Sequence, residues 1–340
     1  MIRALAVASL ALTFATVSAG AARVLSFDEL DGWHGDDHGA ALDVFLETCP
    51  DIDRPPWPAL CAVAQTQAGG RGFFEAFFRP VLVGEPPALF TGYYEPEIPG
   101  ALRRDARHRW PIYRTPPELV PGTLWHSRAE IEENGLLDGR GLEIAWLADP
   151  VDRFFLQIQG SGRIRLPDGG ILRVGYAARN GHDYRSIGKE LVRRGIYRPH
   201  EVSASVISAW IRRNPQEGRD LLHHNPSYVF FRRLPDMPPG KGPLGAMNRS
   251  VTALRSIAVD PAHTRLGAPV WVEKDGAEPL RRLMIAQDTG SAIKGAQRAD
   301  IFYGSGPEAG RIAGRVRDRG RMVVLLPVDE ALALATGPEG

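Results

Sequence analysis

The sequence lacks several features that mark common classes of protein. Its formal net charge is only +1 over 340 residues, so it offers no strong basic field for nucleic acid. Its histidines do not have the spacing of zinc proteases, and no GxGxxG or Walker sequence accompanies the glycines at residues 160–162. No repeat of solenoid length is visible. We therefore expect no nucleic-acid partner, no nucleotide, no metal and no cofactor.

Long apolar runs are also missing, except for one at the N-terminus. Met1-Ile2-Arg3 precedes an apolar run over residues 4–17 and then small residues at 18–21. This order is typical of a secretory signal peptide, which we assign to residues 1–21, and the run is short for a membrane span. No cysteine follows it, so we expect no lipid-modified N-terminal cysteine. The sequence therefore predicts an exported protein.

Cysteine is scarce, since only Cys49 and Cys61 occur. Two cysteines about a dozen residues apart in an exported protein favour one disulfide that closes a helix–turn–helix. Two buried free thiols are the alternative.

The distribution of turn residues predicts a mainly β protein with peripheral helices. Gly (37) and Pro (28) are frequent, and long helical patterns are few. A helical lead-in is followed by a β-rich middle, a helical pair after about residue 184 and a β-rich end from residue 228. Within the middle, the segment PDGG at residues 167–170 predicts a β-hairpin. The simplest arrangement has two β domains with a groove between them, the middle being inserted into the first.

Residues 283–304 (LMIAQDTGSAIKGAQRADIFYG) contain the most distinctive pattern of the chain. We predict a strand, a glycine-bearing turn and a second strand, which bring Asp288 and Asp300 toward one place. Asp300 precedes Ile301 and Phe302, and poor solvation there favours the neutral carboxylic acid that a general acid needs. The alternative is that both aspartates cap turns and face water.

A second polar stretch covers residues 157–163 and 174–182. We predict that Gln157 and Gln159 alternate with apolar neighbours on one strand and share a face beside the turn at residues 160–162. Amides both donate and accept hydrogen bonds, as sugar hydroxyls do, and tyrosine rings such as Tyr176 and Tyr228 offer flat apolar faces to sugars. An ordinary strand with a polar outer face, together with tyrosines that belong to the core, is the alternative for these residues.

The segment Asp288-Thr289-Gly290-Ser291 also matches the active-site loop of aspartic proteases. Those enzymes need two such aspartates that share a proton, and this chain has no second Asp-Thr-Gly or Asp-Ser-Gly. A homodimer is the one arrangement that could rescue this hypothesis.

Several motifs together resemble the family of membrane-bound lytic transglycosylase A. They are FTGYYEP at 90–96, QIQGSG at 157–162, VGYA at 174–177, NPSYVFF at 225–231, GPLGA at 242–246, RSIAVD at 255–260 and the stretch at 283–304. The resemblance implies a double-psi β-barrel, related to barwin and endoglucanase-V domains, with an inserted β domain. The barrel domain then comprises residues 22–98 and 226–340, and the insert comprises residues 99–225.

The resemblance also implies the chemistry and the site. Asp300 matches the single catalytic acid and Asp288 a supporting acid. The substrate is the peptidoglycan glycan strand, cleaved between N-acetylmuramic acid and N-acetylglucosamine without water to leave a 1,6-anhydro end. The implied substrate-binding residues are Thr91, Tyr93, Gln157, Gln159, Gly160, Ser161, Tyr176, Tyr228, Gly290 and Lys294.

Two other functions stay open from the sequence. A lysozyme-like muramidase would use Asp288 as a second carboxylate, and a non-catalytic wall-binding module would use neither acid. With the resemblance, we expect a periplasmic monomer, held at most by its substrate or at the outer membrane. Its partner is the glycan strand, with wall-remodelling proteins as further candidate partners.

Overall fold

The computed structural model describes residues 22–67, 69–234 and 241–335, so the signal peptide assigned to residues 1–21 lies outside the described residues. The helices are α1 (His38–Thr48), α2 (Trp57–Ala64), α3 (Gly70–Phe77), α4 (Arg128–Glu133), α5 (Pro150–Gln159), α6 (Ile187–Arg193), α7 (Ala204–Arg213), α8 (Pro215–His223), α9 (Gly306–Ala313) and α10 (Val328–Ala335). The strands are β1 (Arg23–Val24), β2 (Phe78–Leu82), β3 (Ala88–Glu95), β4 (Glu97–Ala101), β5 (Trp110–Tyr113), β6 (Glu143–Leu147), β7 (Ser161–Arg165), β8 (Ile171–Arg179), β9 (Val229–Arg233), β10 (Ser256–Val259), β11 (Pro269–Lys274), β12 (Leu280–Thr289), β13 (Arg298–Ser305) and β14 (Arg317–Pro327).

Six strands close into a β-barrel. Their order is β3-β13-β10-β12-β11-β14, and β14 pairs back onto β3, so the sheet has no free edge at that point. The pairs β10–β12 and β13–β3 are parallel, whereas the other pairs in the ring are antiparallel. Strand β14 is long enough to pair with β2 as well, and β1 then extends the sheet beyond β2.

The helical lead-in packs against the barrel through an aromatic core. Trp33, Trp57 and Trp271 are all fully buried, and the ring of Trp33 meets that of Trp271 edge-on at 5.0 Å between centroids. A disulfide joins Cys49 and Cys61 across a Cα–Cα distance of 5.6 Å, which ties the end of α1 to α2. Helix α1 also packs against β12, the strand that carries Asp288.

The second domain is a six-stranded sheet in the order β5-β6-β4-β7-β8-β9. The hairpin predicted around residues 167–170 is confirmed as the β7–β8 turn. Strand β9 belongs to this sheet because it pairs antiparallel with β8. The second sheet thus extends to Arg233, beyond the residue 225 at which the sequence analysis ended the insert.

The strand predicted around Gln157 and Gln159 is wrong, because both residues lie in helix α5. The Asp149 side chain accepts a hydrogen bond from the backbone N–H of Val151, Pro150 occupies the first turn, and Gly160 ends the helix with a positive φ of 74°. Residues two apart on a helix point in different directions, so the two amides do not share a face.

In the part of the chain that the structure describes, no helix is long and apolar enough to cross a membrane.

Candidate active site

The two predicted acids lie in one row across four adjacent strands. Asp300 on β13 pairs with Thr91 on β3 and with Ala258 on β10, and Ala258 also pairs with Asp288 on β12. Paired residues of neighbouring strands point to the same face, so the two carboxylates flank the Ala258 methyl group. Ala258 contributes only a methyl group between them and is 4% exposed.

A β-bulge in strand β12 turns Asp288 onto that face. Ile257 pairs with Ala286, but the next residue, Ala258, pairs with Asp288, so Gln287 is the extra residue. In a regular strand Asp288 would share the face of Ala286 and point away from Asp300.

Buried hydrogen bonds hold this bulge. The Gln287 side chain is fully buried; its amide nitrogen donates to the hydroxyl of Thr48 on α1 at 2.7 Å, and its oxygen accepts from the Ser256 hydroxyl. Gly245 also approaches the bulge closely, because a Cβ there would lie 2.7 Å from the Gln287 carbonyl oxygen.

Three donors surround the Asp288 carboxyl group. Its Oδ1 accepts from the backbone N–H groups of Ala246 (3.0 Å) and Thr289 (2.8 Å), and its Oδ2 accepts from the hydroxyl of Tyr93 (3.1 Å). Burial nevertheless raises the pKa of Asp288 to about 6, because these hydrogen bonds only partly offset the loss of hydration.

Asp300 lies close to a side-chain donor and to a cation. The Thr91 hydroxyl donates to Asp300 Oδ1 at 2.6 Å, and Arg298 Nη2 donates to the same hydroxyl at 2.8 Å. Burial raises the pKa of Asp300, opposed by the Thr91 hydrogen bond and by the charge of Arg298. A carboxyl group with a raised pKa keeps its proton to higher pH than an ordinary aspartate and can deliver it.

The second domain joins the barrel through a buried ion-pair cluster. The Glu95 side chain is fully buried at the end of β3 and accepts hydrogen bonds from Arg163 on β7, Arg173 on β8 and Ser305 on β13, at 2.6–3.1 Å. One carboxylate thus links the strand of Asp300 to two strands of the second sheet.

Part of the predicted sugar-binding set lies beside this junction. Gln159 Oε1 accepts a hydrogen bond from the backbone N–H of Tyr94 at 3.2 Å, which brings the end of α5 against strand β3. Gly160 follows and lies next to Tyr176, whose side chain is 49% exposed.

Two predicted ligand-facing residues are buried in the second domain instead. Tyr228 is 0% exposed beneath the guanidinium group of Arg128, 5.1 Å from its ring centroid. Gln157 is 4% exposed and donates from Nε2 to the Val229 carbonyl oxygen. Both side chains lie in the core of the second domain, and their contact with substrate stays a prediction.

The remaining predicted residues are Ser161, Gly290 and Lys294. Ser161 is buried at the start of β7, and Gly290 begins the turn after β12, where its carbonyl accepts from Ile293 N–H at 2.9 Å. The Lys294 side chain is 67% exposed, 3.8 Å from an oxygen of Asp260.

The sequence analysis did not single out Arg298, Gln287 or Ala258. Only Arg298 carried a usable signal, because a residue two positions before Asp300 on a strand shares its face. Among the described residues, no group of three or more His, Cys, Asp or Glu side chains is arranged to hold a metal ion.

Two family models match the chain. The MltA specific insert domain matches residues 89–232, and the 3D domain matches residues 255–326. The first range covers the second sheet together with β3, and the second covers the strands that carry both aspartates.

Known proteins of the same kind resemble the chain. Membrane-bound lytic murein transglycosylase A of Escherichia coli (strain K12) is 39% identical over 242 residues, which is 69% of this chain and 65% of that protein. The crystal structure of membrane-bound lytic murein transglycosylase from Agrobacterium tumefaciens is 35% identical, with a TM-score of 0.84 over 92% of this chain and 99% of that one. The crystal structure of E. coli MltA with bound chitohexaose is 32% identical, with a TM-score of 0.69 over 84% of this chain and 90% of that one.

The matched stretch spans slightly less than two thirds of the E. coli relative, whereas the A. tumefaciens structure is matched over nearly its whole length. These comparisons agree with the order of the two domain models along the chain. They also agree with the closed six-stranded barrel and the second sheet. The chain therefore belongs to the MltA family, the family of membrane-bound lytic murein transglycosylase A.

Proposed function

We propose that the protein is a lytic transglycosylase that cleaves peptidoglycan glycan strands without water. The observation that carries this proposal is the row in which Asp300 and Asp288 share one face and the pKa of each is raised by burial. An acid that keeps its proton above the ordinary pKa of aspartate suits glycosidic bond cleavage. The E. coli family member with bound chitohexaose supports an oligosaccharide substrate.

In the proposed reaction Asp300 acts first as an acid and then as a base. Protonated Asp300 gives its proton to the glycosidic oxygen between N-acetylmuramic acid and N-acetylglucosamine, and an oxocarbenium-like centre forms at C1. The resulting carboxylate takes the proton from the C6 hydroxyl of the same muramyl residue, and that oxygen closes onto C1. A 1,6-anhydromuramic end forms and the carboxyl group regains its proton. One acid serves both steps because the nucleophile is intramolecular.

Asp288 has a supporting role in this proposal. Its three donors occupy both oxygens and fix its orientation, which suits a group that shapes the electrostatics of the site. A hydrolytic muramidase is the second candidate, because Asp288 lies on the same face and is a carboxylate that could activate water. A wall-binding module without catalysis accounts less well for two acids with raised pKa values.

We also infer the finer fold and the location. The two parallel strand pairs in the barrel support a double-psi arrangement, and the junction at Glu95 supports a substrate groove between the two domains. The N-terminal pattern at residues 1–21 supports export to the periplasm, where the glycan strand is the partner of a monomer.

Activity of matched variants on purified sacculi tests the role of Asp300. We expect Asp300→Asn to abolish the release of anhydromuropeptides, since an amide cannot supply the proton, while Asp288→Asn retains measurable activity. Circular dichroism and the melting temperature control for folding. Anhydromuropeptide release by a folded Asp300→Asn variant would remove Asp300 from its role, and loss of all activity in Asp288→Asn would favour the two-carboxylate hydrolase.

A further inference from the structure

A continuous hydrogen-bonded chain connects a cation to the proposed acid. Arg298 Nη2 lies 2.8 Å from Thr91 Oγ1, and Thr91 Oγ1 lies 2.6 Å from Asp300 Oδ1. Arg298 and Asp300 are two residues apart on β13, and Thr91 is the residue that pairs with Asp300 on β3. The three side chains therefore share one face because of the strand period and the register.

The chemistry of these groups fixes the direction of the Arg298–Thr91 hydrogen bond. A guanidinium group has donors only, so the Thr91 oxygen must accept from Arg298. The single hydrogen of the Thr91 hydroxyl is then free to point to Asp300, and Oδ1 is the acceptor. Oδ1 cannot hold its own proton toward Thr91 without displacing that hydrogen.

Arg298 is itself held in place. Its Nη1 donates to the backbone carbonyl oxygens of Leu89 (3.3 Å) and Ala299 (2.5 Å), so the guanidinium bridges β3 and β13. The side chain cannot rotate away from Thr91 without losing these contacts. Such a fixed donor resembles the supporting shell that orients a catalytic group in other enzymes.

We propose that Arg298 is a positioning residue that acts through Thr91 to fix Asp300 Oδ1 as an acceptor and to confine the transferable proton to Oδ2. The proposal rests on the proposed function of Asp300. The same oxygen, Oδ2, then gives one proton to the glycosidic oxygen and takes another from the C6 hydroxyl, so the acid returns to its starting state. The carboxyl group need not rotate between the two steps.

The pH dependence of the rate on sacculi distinguishes this role from a structural one. Asp300 must be protonated to start the reaction, so the alkaline limb of the profile follows its pKa. The charged or titratable groups near Asp300 or its donors are Arg298, Arg317, Asp288, Tyr93 and Tyr303. Removing Arg298 or the Thr91 hydroxyl takes away support for the carboxylate, so the alkaline limb moves to higher pH.

The experiment compares wild type with Arg298→Met, Thr91→Val and Thr91→Ser. We expect Arg298→Met and Thr91→Val each to lower the maximal rate roughly tenfold and to move the alkaline limb upward by about half a pH unit or more. Thr91→Ser keeps the hydroxyl and stays within about twofold of wild type in rate. The double variant has nearly the rate of Thr91→Val alone, because Arg298 acts through Thr91.

Arg311→Met is the matched control, since Arg311 is exposed on α9 and pairs with Glu308 on the same helix. It should leave the rate and the limb unchanged. A wild-type profile for Arg298→Met, or rate losses that multiply in the double variant, would overturn the proposal. A uniform loss of rate with an unmoved limb would also overturn it.

If Arg298→Met does not fold, Arg298→Leu takes its place, and the same outcomes apply because leucine also has no donor. The Asp300→Asn variant distinguishes a failure of the inference about Arg298 from a failure of the proposed function. If Asp300→Asn is inactive but Arg298 variants behave as wild type, only the inference about Arg298 fails. If Asp300→Asn remains active, the proposed function itself fails.

Discussion

Glu132 in the second domain and Asp288 in the barrel are both removed from water, but their pKa values move in opposite directions. Burial alone would raise the pKa of Glu132, but the charges of Arg153 and Arg128 and the hydrogen bond from His223 lower it to about 2. Within the described part of the chain no cation acts on Asp288 in this way, and its pKa rises to about 6. The direction of the change is decided by the cations near the carboxyl group, since both groups are buried.

The two domains therefore use buried acids for different purposes. Glu132 and Glu95 are surrounded by arginines and stabilise the second domain and its junction with the barrel. Asp288 is held by neutral donors, and the charge of Arg298 near Asp300 does not outweigh burial. The acids with few cations nearby have raised pKa values and can carry a proton. The acids surrounded by arginines are ionised and hold the structure together.

The largest expected effect comes from removing the charge of Glu132. Glu132→Gln leaves Arg128 and Arg153 buried without their carboxylate, and we expect the free energy of unfolding to fall by about 3–5 kcal/mol. Asp288→Asn should leave the stability at pH 7 equal to or above that of wild type, because it removes a poorly solvated charge. Urea denaturation of both variants measures the difference.

Glu133→Gln is the control for the first variant, since Glu133 is on the same helix and contacts His223 but is 62% exposed. It should change stability by less than about 1 kcal/mol. A small loss in Glu132→Gln, equal to that of the control, would contradict the structural role of the cluster.

The next effect is the pH dependence of stability that Asp288 contributes. Its folded pKa of about 6 exceeds its ordinary value of 3.8, so its neutral form is favoured in the folded state. Stability from this group is fully present below pH 3.8 and is lost as pH rises through about 6. The loss is on the order of 3 kcal/mol, because a tenfold change in a proton-binding constant corresponds to about 1.36 kcal/mol.

Comparison with Asp288→Asn isolates that contribution, because all other groups titrate in both proteins. Between about pH 4 and pH 7 the wild type should lose stability relative to the variant. Parallel stability curves would show that the Asp288 carboxyl group is not perturbed by folding.

The smallest expected effect comes from adding a cation to the row formed by Asp288, Ala258 and Asp300 in the barrel. Ala258→Lys introduces an ammonium group between Asp288 and Asp300, which should lower the pKa of each acid by about one or more. The alkaline limb of activity should then move to lower pH, and activity near neutral pH should fall about tenfold. Ala258→Met has similar length without charge and controls for the lost space. Identical pH profiles for the Lys and Met variants would contradict the electrostatic explanation.

Local patterns allowed much of the fold to be predicted from the sequence. Residues 283–304 form the predicted strand, turn and strand, and the turn at residues 167–170 forms the predicted hairpin. Each prediction depended on alternation and turn residues within about twenty positions, which is the range over which such signals act.

The predictions failed where two local signals favoured different secondary structures. They also failed where the pairing of distant segments decided the direction of a side chain. The apolar run at residues 154–158 resembled a strand, but the Asp149-Pro150 start and the Gly160 end of a helix outweighed it. The bulge at Gln287, which decides the face of Asp288, depends on contacts with Thr48 and Ser256 far away in the chain. No local pattern reveals such a contact.

The same limit applies to the candidate site. Asp288 and Asp300 could be singled out because they follow and precede apolar segments. Burial of Tyr228 and the link from Arg298 through Thr91 could not be predicted, because both depend on which strands become neighbours.

Digestion of purified sacculi in H₂¹⁸O, followed by mass spectrometry of the released muropeptides, tests the central claim most directly. If the Asp300 carboxylate takes the proton from the C6 hydroxyl and no water attacks C1, the muramyl ends will be one water lighter than hydrolysis products and will carry no ¹⁸O. Reducing ends that contain ¹⁸O would contradict the account and would favour hydrolysis with Asp288 as the second carboxylate.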